Sequence, residues 1–573
     1  MEYSGIVHFE DKKYCFARKP KEFVFRLETK KDDIENVILH MQDKYVKLAY
    51  LDTRAQVPME KVRSDRFRDY YEAVVNMDVI CLRYYFELTD CEGNKAFFGN
   101  HEFTEEAPTD IEYMFDCPQS VREEDIFEVP QWAKNKVIYQ IFPSRFATDK
   151  KIPEDVWYQA PITHNADLKG NLKGITAHLP YIRDLGADIV YLTPIFQSNS
   201  SHKYNIDDYY RIDPSFGTKE DLRELVESAH SLGLRVILDG VFNHTSDNFF
   251  AFKDIREKQE ASKYLDWYSI DGFPLQIGWG VKPNFKTFSY VGFMPKLNLG
   301  NPEVQDYVID VASYWIKECG IDGWRLDVGD EIPHAFWKRF RRELKKIKPE
   351  LLIAGEIWHF AGDFLEGDEW DTVMNYPFFR SLTNLVGSES ITVSDFVDNL
   401  GFLEGHLHPE VLPLLWNLMG SHDTPRFLHL CGGNTDKLKL AAALLLLLPG
   451  MPMIYYGDEV GMEGAKDPDC RRGMLWDESR QNAEILSYYK RLLQLRHRYD
   501  FLTSCRPTEV HTQNESGLLA RRIICENQEA LMIFHCKDGE VSLPELQGRM
   551  DRISDTVSDG ILKPYQAALF IRE

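Results

Sequence analysis

The sequence predicts an α/β fold: a (β/α)8 TIM barrel with an inserted subdomain, an N-terminal β-sandwich domain and a C-terminal β-sandwich domain. Three observations predict it. The chain has 573 residues, too many for one hydrophobic core. From about Val137, eight short apolar runs alternate with segments of helical period. Before and after that stretch the apolar residues fall into short alternating runs with no long helix.

Residues 1–122 carry the N-terminal runs Phe23–Leu27, Tyr45–Tyr50 and Cys81–Leu88, with turn signals at Asp90 and Glu92–Asn94 between or after them. Val121–Lys136 is charged and aperiodic and reads as a linker. The barrel domain spans 123–499. Its strands read as Val137–Phe142, Ile189–Pro194, Arg235–Val241, Gly323–Val328, Leu351–Ile357, Asp371–Asn375, Leu414–Gly420 and Met453–Tyr456. Helical spacing falls at Ile175–Leu185, Glu220–Leu232, Val304–Cys319, Ala335–Ile347 and Lys437–Leu448. Thr245–Gly300, aromatic-rich and broken by Gly and Pro, is too long for a connection and reads as a subdomain over the barrel mouth. After the helix Asn482–His497, residues 500–573 return to short strands.

Composition narrows the function. A net charge of −24 argues against nucleic acid or an anionic membrane as the partner and suits a ligand of little charge. With 44% apolar and 13% aromatic residues the chain is globular. The 10 cysteines are scattered without metal-site spacing, which predicts free thiols in a reducing compartment. MEYSGIVHFEDKKYCF has no apolar signal core, so the expected location is cytoplasmic. The longest apolar run, Leu440–Leu448, meets Pro449, Gly450 and Pro452 and is too short to span a bilayer.

Polar residues gather where the strand readings end: Asp239, Asn243 and His244 at the third, Arg325 and Asp327 at the fourth, Glu356 at the fifth, His422 and Asp423 at the seventh. In a barrel, strand C-termini converge on the face that carries active sites. In IDGWRLDVGDE (Ile321–Glu331), strand alternation puts Arg325 and Asp327 on one side. Either a buried ion pair or a carboxylate held ionised for attack fits that stretch alone. Two carboxylates of different protonation state are what glycosyl transfer requires. Asp327 has the arginine beside it, and Glu356 is flanked by Ile357 and Trp358, an apolar wall that would keep it protonated.

DGVFNH, GWRLDV, GEIW and SHDT, in this order and spacing, resemble the sequence regions of glycoside hydrolase family 13, the α-amylase family. The resemblance implies Asp327 as nucleophile, Glu356 as general acid/base and Asp423 as transition-state stabiliser. It also implies Arg325, His244 and His422 as sugar contacts, and Tyr204, in SSHKYNIDDYY, as the residue stacked on the sugar ring. MPKLN (Met294–Asn298), GEIWH and DPDCRR (Asp467–Arg472) are similar to the neopullulanase, cyclomaltodextrinase and maltogenic amylase subfamily. There Asp467 and Arg471 would bind the next sugar outward; a surface ion pair is the plainer alternative.

That likeness implies hydrolysis of α-1,4 bonds in maltooligosaccharides, cyclodextrins and pullulan, with transglycosylation as a possible side reaction. The alternative is an α-1,6-acting glucosidase or isomerase of the same family, which Val328, following the nucleophile, leaves open. SDRFRDYYEAVV and LRYYFEL look like the family 34 carbohydrate-binding-type domain, which in relatives serves dimerisation; a homodimer is therefore expected. Relatives commonly bind calcium through RFANGD and GGDLKG. Here the segments read RFATDKK (Arg145–Lys151) and NADLKG (Asn165–Gly170), with Thr148 in place of asparagine, so neither calcium nor another cofactor is expected.

Overall fold

The computed structural model describes every residue except 20, 46–53, 77–80, 118–125, 165, 279 and 573. Most of the run expected at Tyr45–Tyr50, the start of the linker and Asn165 of NADLKG therefore lie outside the described residues. By compactness the chain divides into two units, residues 1–129 with 365–367 and 394–412, and the remainder.

The first unit is built on two antiparallel sheets. One orders its strands Cys15–Lys19, Glu22–Lys30, Arg68–Asn76, Glu60–Ser64; the other runs Ala55–Pro58, Ile34–Asp43, Leu82–Asp90, Lys95–Gly99, Glu102–Thr104, with Phe115–Asp116 also on Leu82–Asp90. Leu82–Asp90 shows the period of two that the sequence carries: Leu82, Tyr84, Phe86 and Leu88 are buried while their neighbours are half-buried. They join Phe23, Phe25, Leu27, Val37 and Leu39 in one core. Residues 394–412 belong to this unit through polar contacts. Arg26 Nη1 donates to the carbonyls of Gly405 and Leu407 at 2.9 and 3.2 Å, and Arg63 Nη1 to that of Glu404 at 2.9 Å.

The second unit contains a closed barrel of eight parallel strands: β1 (Ile138–Ile141), β2 (Ile189–Leu192), β3 (Arg235–Gly240), β4 (Gly323–Leu326), β5 (Leu352–Gly355), β6 (Thr372–Asn375), β7 (Trp416–Leu418) and β8 (Met451–Tyr455). All eight expected strands are present, each within a few residues of its reading. They are buried on both faces, except the first residue of β3, because helices cover a barrel from outside. Among those helices are α1 (Leu172–Leu185), α2 (Lys219–Ser231), α3 (Pro302–Cys319), α4 (His334–Ile347), α5 (Thr435–Leu447) and α6 (Ala483–Arg498). Local chemistry sets their ends. Thr218 and Asp221 form a capping box on α2, and Gly320, at φ +72°, closes α3 in the left-handed conformation.

The segment after β3 is a small irregular subdomain. A helix, Phe250–Lys258, and three single turns are tied by isolated bridges such as His244 with Lys296 and Thr287 with Pro295. At the C-terminus Glu509–Gln513, Leu518–Cys525, Gln528–His535 and Ala567–Arg572 form an antiparallel sheet, packed through Ile533 and Phe570 against Leu546 and Leu562 from a lesser layer of short ladders. One expectation fails here: Cys505 and Cys525 are joined by a disulfide, whereas the other eight cysteines form none. Among the described residues no helix is long and apolar enough to cross a membrane.

Candidate active site

Parallel register builds the site. Asp239 on β3 and Arg325 on β4 are direct partners across the ladder, so both side chains leave the same face of the sheet. Arg325 is fully buried. Its Nη1 donates to Asp239 Oδ1 and Oδ2 at 3.0 and 2.9 Å and to Asp327 Oδ1 at 2.9 Å. Its Nη2 lies 2.8 Å from Glu356 Oε2. One guanidinium thus serves three carboxyls.

The strand does not run on to Val328 as expected. β4 stops at Leu326, and Val328 adopts the left-handed conformation at φ +47°, unusual for a β-branched residue. That turn aims the Val328 N–H at Glu356 Oε2, 3.0 Å away. Backbone strain at this point is therefore coupled to the placement of a candidate catalytic carboxyl. Glu356 Oε1 accepts from the indole N–H of Trp358 at 3.2 Å, while the indole ring stacks on Tyr376 with centroids 3.9 Å apart. The apolar wall expected beside Glu356 is present in those rings, but it comes with N–H donors to both carboxyl oxygens.

Charge counting shows what the cluster favours. Burial, then Glu356 and Asp239, push the Asp327 carboxyl well up, against the pull of Arg325. Burial also raises Asp239, to about 6. The expectation that Arg325 alone holds Asp327 ionised is incomplete, because that cation is divided among three carboxyls. A buried group of this kind titrates as a unit and tends to retain a proton. Two-carboxylate chemistry needs one group ionised to attack and another protonated to donate, so the retained proton must leave Asp327 before that residue can attack.

A second group of residues joins at Tyr204, whose hydroxyl donates to Asp239 Oδ2 at 3.0 Å. Gln140 Nε2 donates to His422 Nδ1 at 2.9 Å, which places the imidazole hydrogen on Nε2. That Nε2 lies 2.5 Å from the Tyr204 hydroxyl and 3.1 Å from Asp423 Oδ2. Burial, with Arg471 and Arg325 nearby, pushes His422 well below its usual range and keeps it neutral. Arg471 completes the group: Nε donates to the His422 carbonyl at 2.8 Å, Nη2 to Asp423 Oδ1 at 3.1 Å, and Nη1 lies 2.9 Å from Asp467 Oδ1. His244 Nε2 lies 3.0 Å from the Tyr204 carbonyl, and its ring stacks on Phe288 at 4.9 Å.

All nine residues singled out in the sequence therefore belong to one connected network. The network also takes in Asp239, which the sequence marks only as a strand-end carboxyl, and Gln140, Tyr191 and Phe288, to which it assigns no role. Tyr191 donates to Asp239 Oδ2 at 2.7 Å. A glutamine inside the apolar run Ile138–Phe142 was the available signal for Gln140.

The segments compared with a calcium site do not offer a free oxygen cage. Thr148 Oγ1 and Asp149 Oδ1 both accept from Asn171 Nδ2, at 3.3 and 2.7 Å, and Asp167 is paired with Lys169. Among the described residues no three His, Cys, Asp or Glu side chains are arranged to hold a metal.

Residues 140–487 match the catalytic domain model of α-amylase, and residues 1–120 the model of the α-amylase N-terminal ig-like domain. The chain belongs to the α-amylase family. It is similar to a maltogenic α-amylase of Bacillus acidopullulyticus, 42% identical over 86% of this chain and 84% of that one. It is also similar to neopullulanase 2 of Thermoactinomyces vulgaris, 41% identical over 91% and 88%. A solved cyclomaltodextrinase superposes with a TM-score of 0.91 at 34% identity, covering 99% of this chain and 98% of that one. The protein is a glycoside hydrolase of that family.

Proposed function

We propose that the enzyme hydrolyses α-1,4 bonds of maltooligosaccharides, cyclodextrins and pullulan with retention of configuration. The observation that carries this reading is the pair Asp327 and Glu356, whose carboxyls sit on neighbouring nitrogens of one buried guanidinium. Such sharing supports the short carboxyl separation of retaining enzymes, about 5–5.5 Å, over the wider gap that admits a water between them.

Asp327 attacks the anomeric carbon as Glu356 gives its proton to the departing oxygen, leaving a glycosyl ester on Asp327. Glu356, now ionised, takes a proton from water, which attacks the same carbon and frees the ester. A sugar hydroxyl in place of water gives transglycosylation. Asp423, fixed by Arg471 and facing His422, stabilises the positive charge that develops on the sugar ring. Tyr204 offers a ring already oriented by Asp239 and His422. Proton NMR of the first product from maltotriose or γ-cyclodextrin tests the reading. The α anomer should appear first; the β anomer refutes retention.

The same proposal includes a homodimer, supported by the sandwich of the first unit, and a cytoplasmic location, for which eight cysteines without a disulfide speak and the Cys505–Cys525 bridge does not.

A further inference from the structure

A cavity of about 910 Å³ lies where α5 and α6 meet the C-terminal strands, and it shares no residue with the catalytic network. Glu484, Ser487, Tyr488 and Arg491 line it from α6 at the spacing i, i+3, i+4, i+7, a single helix face. The other face of α6 is spent on the core, through Ile485, Tyr489, Leu492 and Leu493. The polar face meets residues 551–570 across the cavity, with Glu484 and Ser487 exposed at its edge.

Two of the wall's cations are paired within it. Lys439 Nζ lies 2.8 Å from both Asp436 Oδ1 and Glu484 Oε1, and Arg491 Nη2 lies 3.2 Å from Asp555 Oδ1. The lining holds five carboxylates, Asp436, Glu484, Asp551, Asp555 and Asp559, against three cations, Lys439, Arg491 and Lys563; this net negative wall repels a phosphate, and it displays many hydrogen-bond donors and acceptors. Three aromatic side chains line it, Tyr488, Tyr565 and Phe570. Tyr488 is half-buried. Tyr565 is held in the left-handed conformation at φ +52°, strained for an aromatic residue, with its hydroxyl donating to Glu389 Oε1 at 2.8 Å.

The half-buried Tyr488 ring among charged hydrogen-bonding groups suits a neutral, hydroxyl-rich ligand: the C–H face of a sugar ring lies on such a tyrosine, and hydroxyls exchange hydrogen bonds with charged groups. The volume is at the upper end of small-ligand sites, about 300–1,000 Å³, and admits several sugar rings. We propose that this cavity is a second, non-catalytic site for α-glucan. It rests on the proposed function only for the identity of the sugar.

The test uses the full-length Asp327→Asn protein, which cannot turn over substrate, with maltoheptaose as the probe. Hydrogen exchange should slow in residues 484–491 and 551–567 as well as around the catalytic cluster. In a second arm, Tyr488→Ala and Arg491→Ala should each weaken retardation by soluble starch in native gels about fivefold, with kcat/KM on maltotriose within about twofold of wild type. Starch hydrolysis by the wild type, with protection confined to the catalytic cluster and unchanged retardation of both variants, would overturn the second site alone. A wild type that hydrolyses no α-glucan overturns the proposed function instead, while protection at 551–567 by maltoheptaose would still uphold the cavity.

Discussion

Replacing Arg325 by lysine and by methionine separates the charge of this residue from its shape. The guanidinium reaches Asp239, Asp327 and Glu356 at once, through Nη1 and Nη2, all at 2.8–3.0 Å. A lysine keeps the charge but has a single nitrogen, which cannot span three carboxyls in a fixed geometry. One charge-assisted contact of about 1.5–3 kcal/mol should be lost, or about 10- to 150-fold in kcat/KM. Methionine also removes the charge, and leaving buried carboxylates without their cation costs about 3–5 kcal/mol.

The two variants should differ in pH dependence. Asp239 already stands at about 6, and Asp327 is raised too, so each is above its unfolded value. For a raised group the stabilising contribution is full below the unfolded value and is lost as pH rises through the folded one. Methionine raises both groups further, so the stability deficit of that variant should grow between about pH 4 and pH 8 and shrink again in acid. The acid limb of kcat/KM, which reports ionisation of the nucleophile, should move up by about one unit or more in the methionine variant and stay near wild type in the lysine variant. Denaturant unfolding at pH 5 and pH 8, with kcat/KM profiles on maltotriose, reads both effects. A methionine variant whose acid limb does not move, or a lysine variant within threefold of wild type, would refute the reasoning.

Asp327→Asn and Glu356→Gln should each remove nearly all turnover with an unchanged melting curve, and Asp423→Asn should cost several orders of magnitude; more than about a tenth of wild-type kcat in any of them contradicts the assigned roles. Gly355→Ala should destabilise by at least about 1–3 kcal/mol and lower activity with it, because the new Cβ would stand 2.2 Å from the Trp370 ring, one residue before Glu356. Urea unfolding and specific activity measured on the same preparation check this. Light scattering at micromolar concentration should give twice the chain mass, and a homodimer whose N-terminal domains narrow both sites should turn over β-cyclodextrin faster than soluble starch. A monomer that prefers starch would exclude that arrangement.

Strand existence was legible because buried parallel strands are short apolar runs between helical patterns, and β1 to β8 each have one. Domain membership of 394–412 was not: a helical pattern shows that a face will be buried but not against which partner. The Cys505–Cys525 bridge escaped for a related reason, since a separation of 20 residues matches no motif and only the fold brings the two together.

At the site, residue types were legible and their coupling was not. Arg325 beside Asp327 could be read from strand alternation, but Asp239 becomes the third claimant on the guanidinium only through the register of β3 against β4. That register changes the electrostatics. A private, solvated ion pair would depress Asp327, whereas burial first, and then the Glu356 and Asp239 carboxyls that share its cation, leave it raised. Val328 makes the same point for the backbone. Nothing in its side chain foretells a φ of +47°, a conformation that valine resists. The structure holds it there, and the N–H so turned meets Glu356 Oε2. The motif therefore names the carboxyls, while the strand register and one strained peptide set the field in which they exchange their proton.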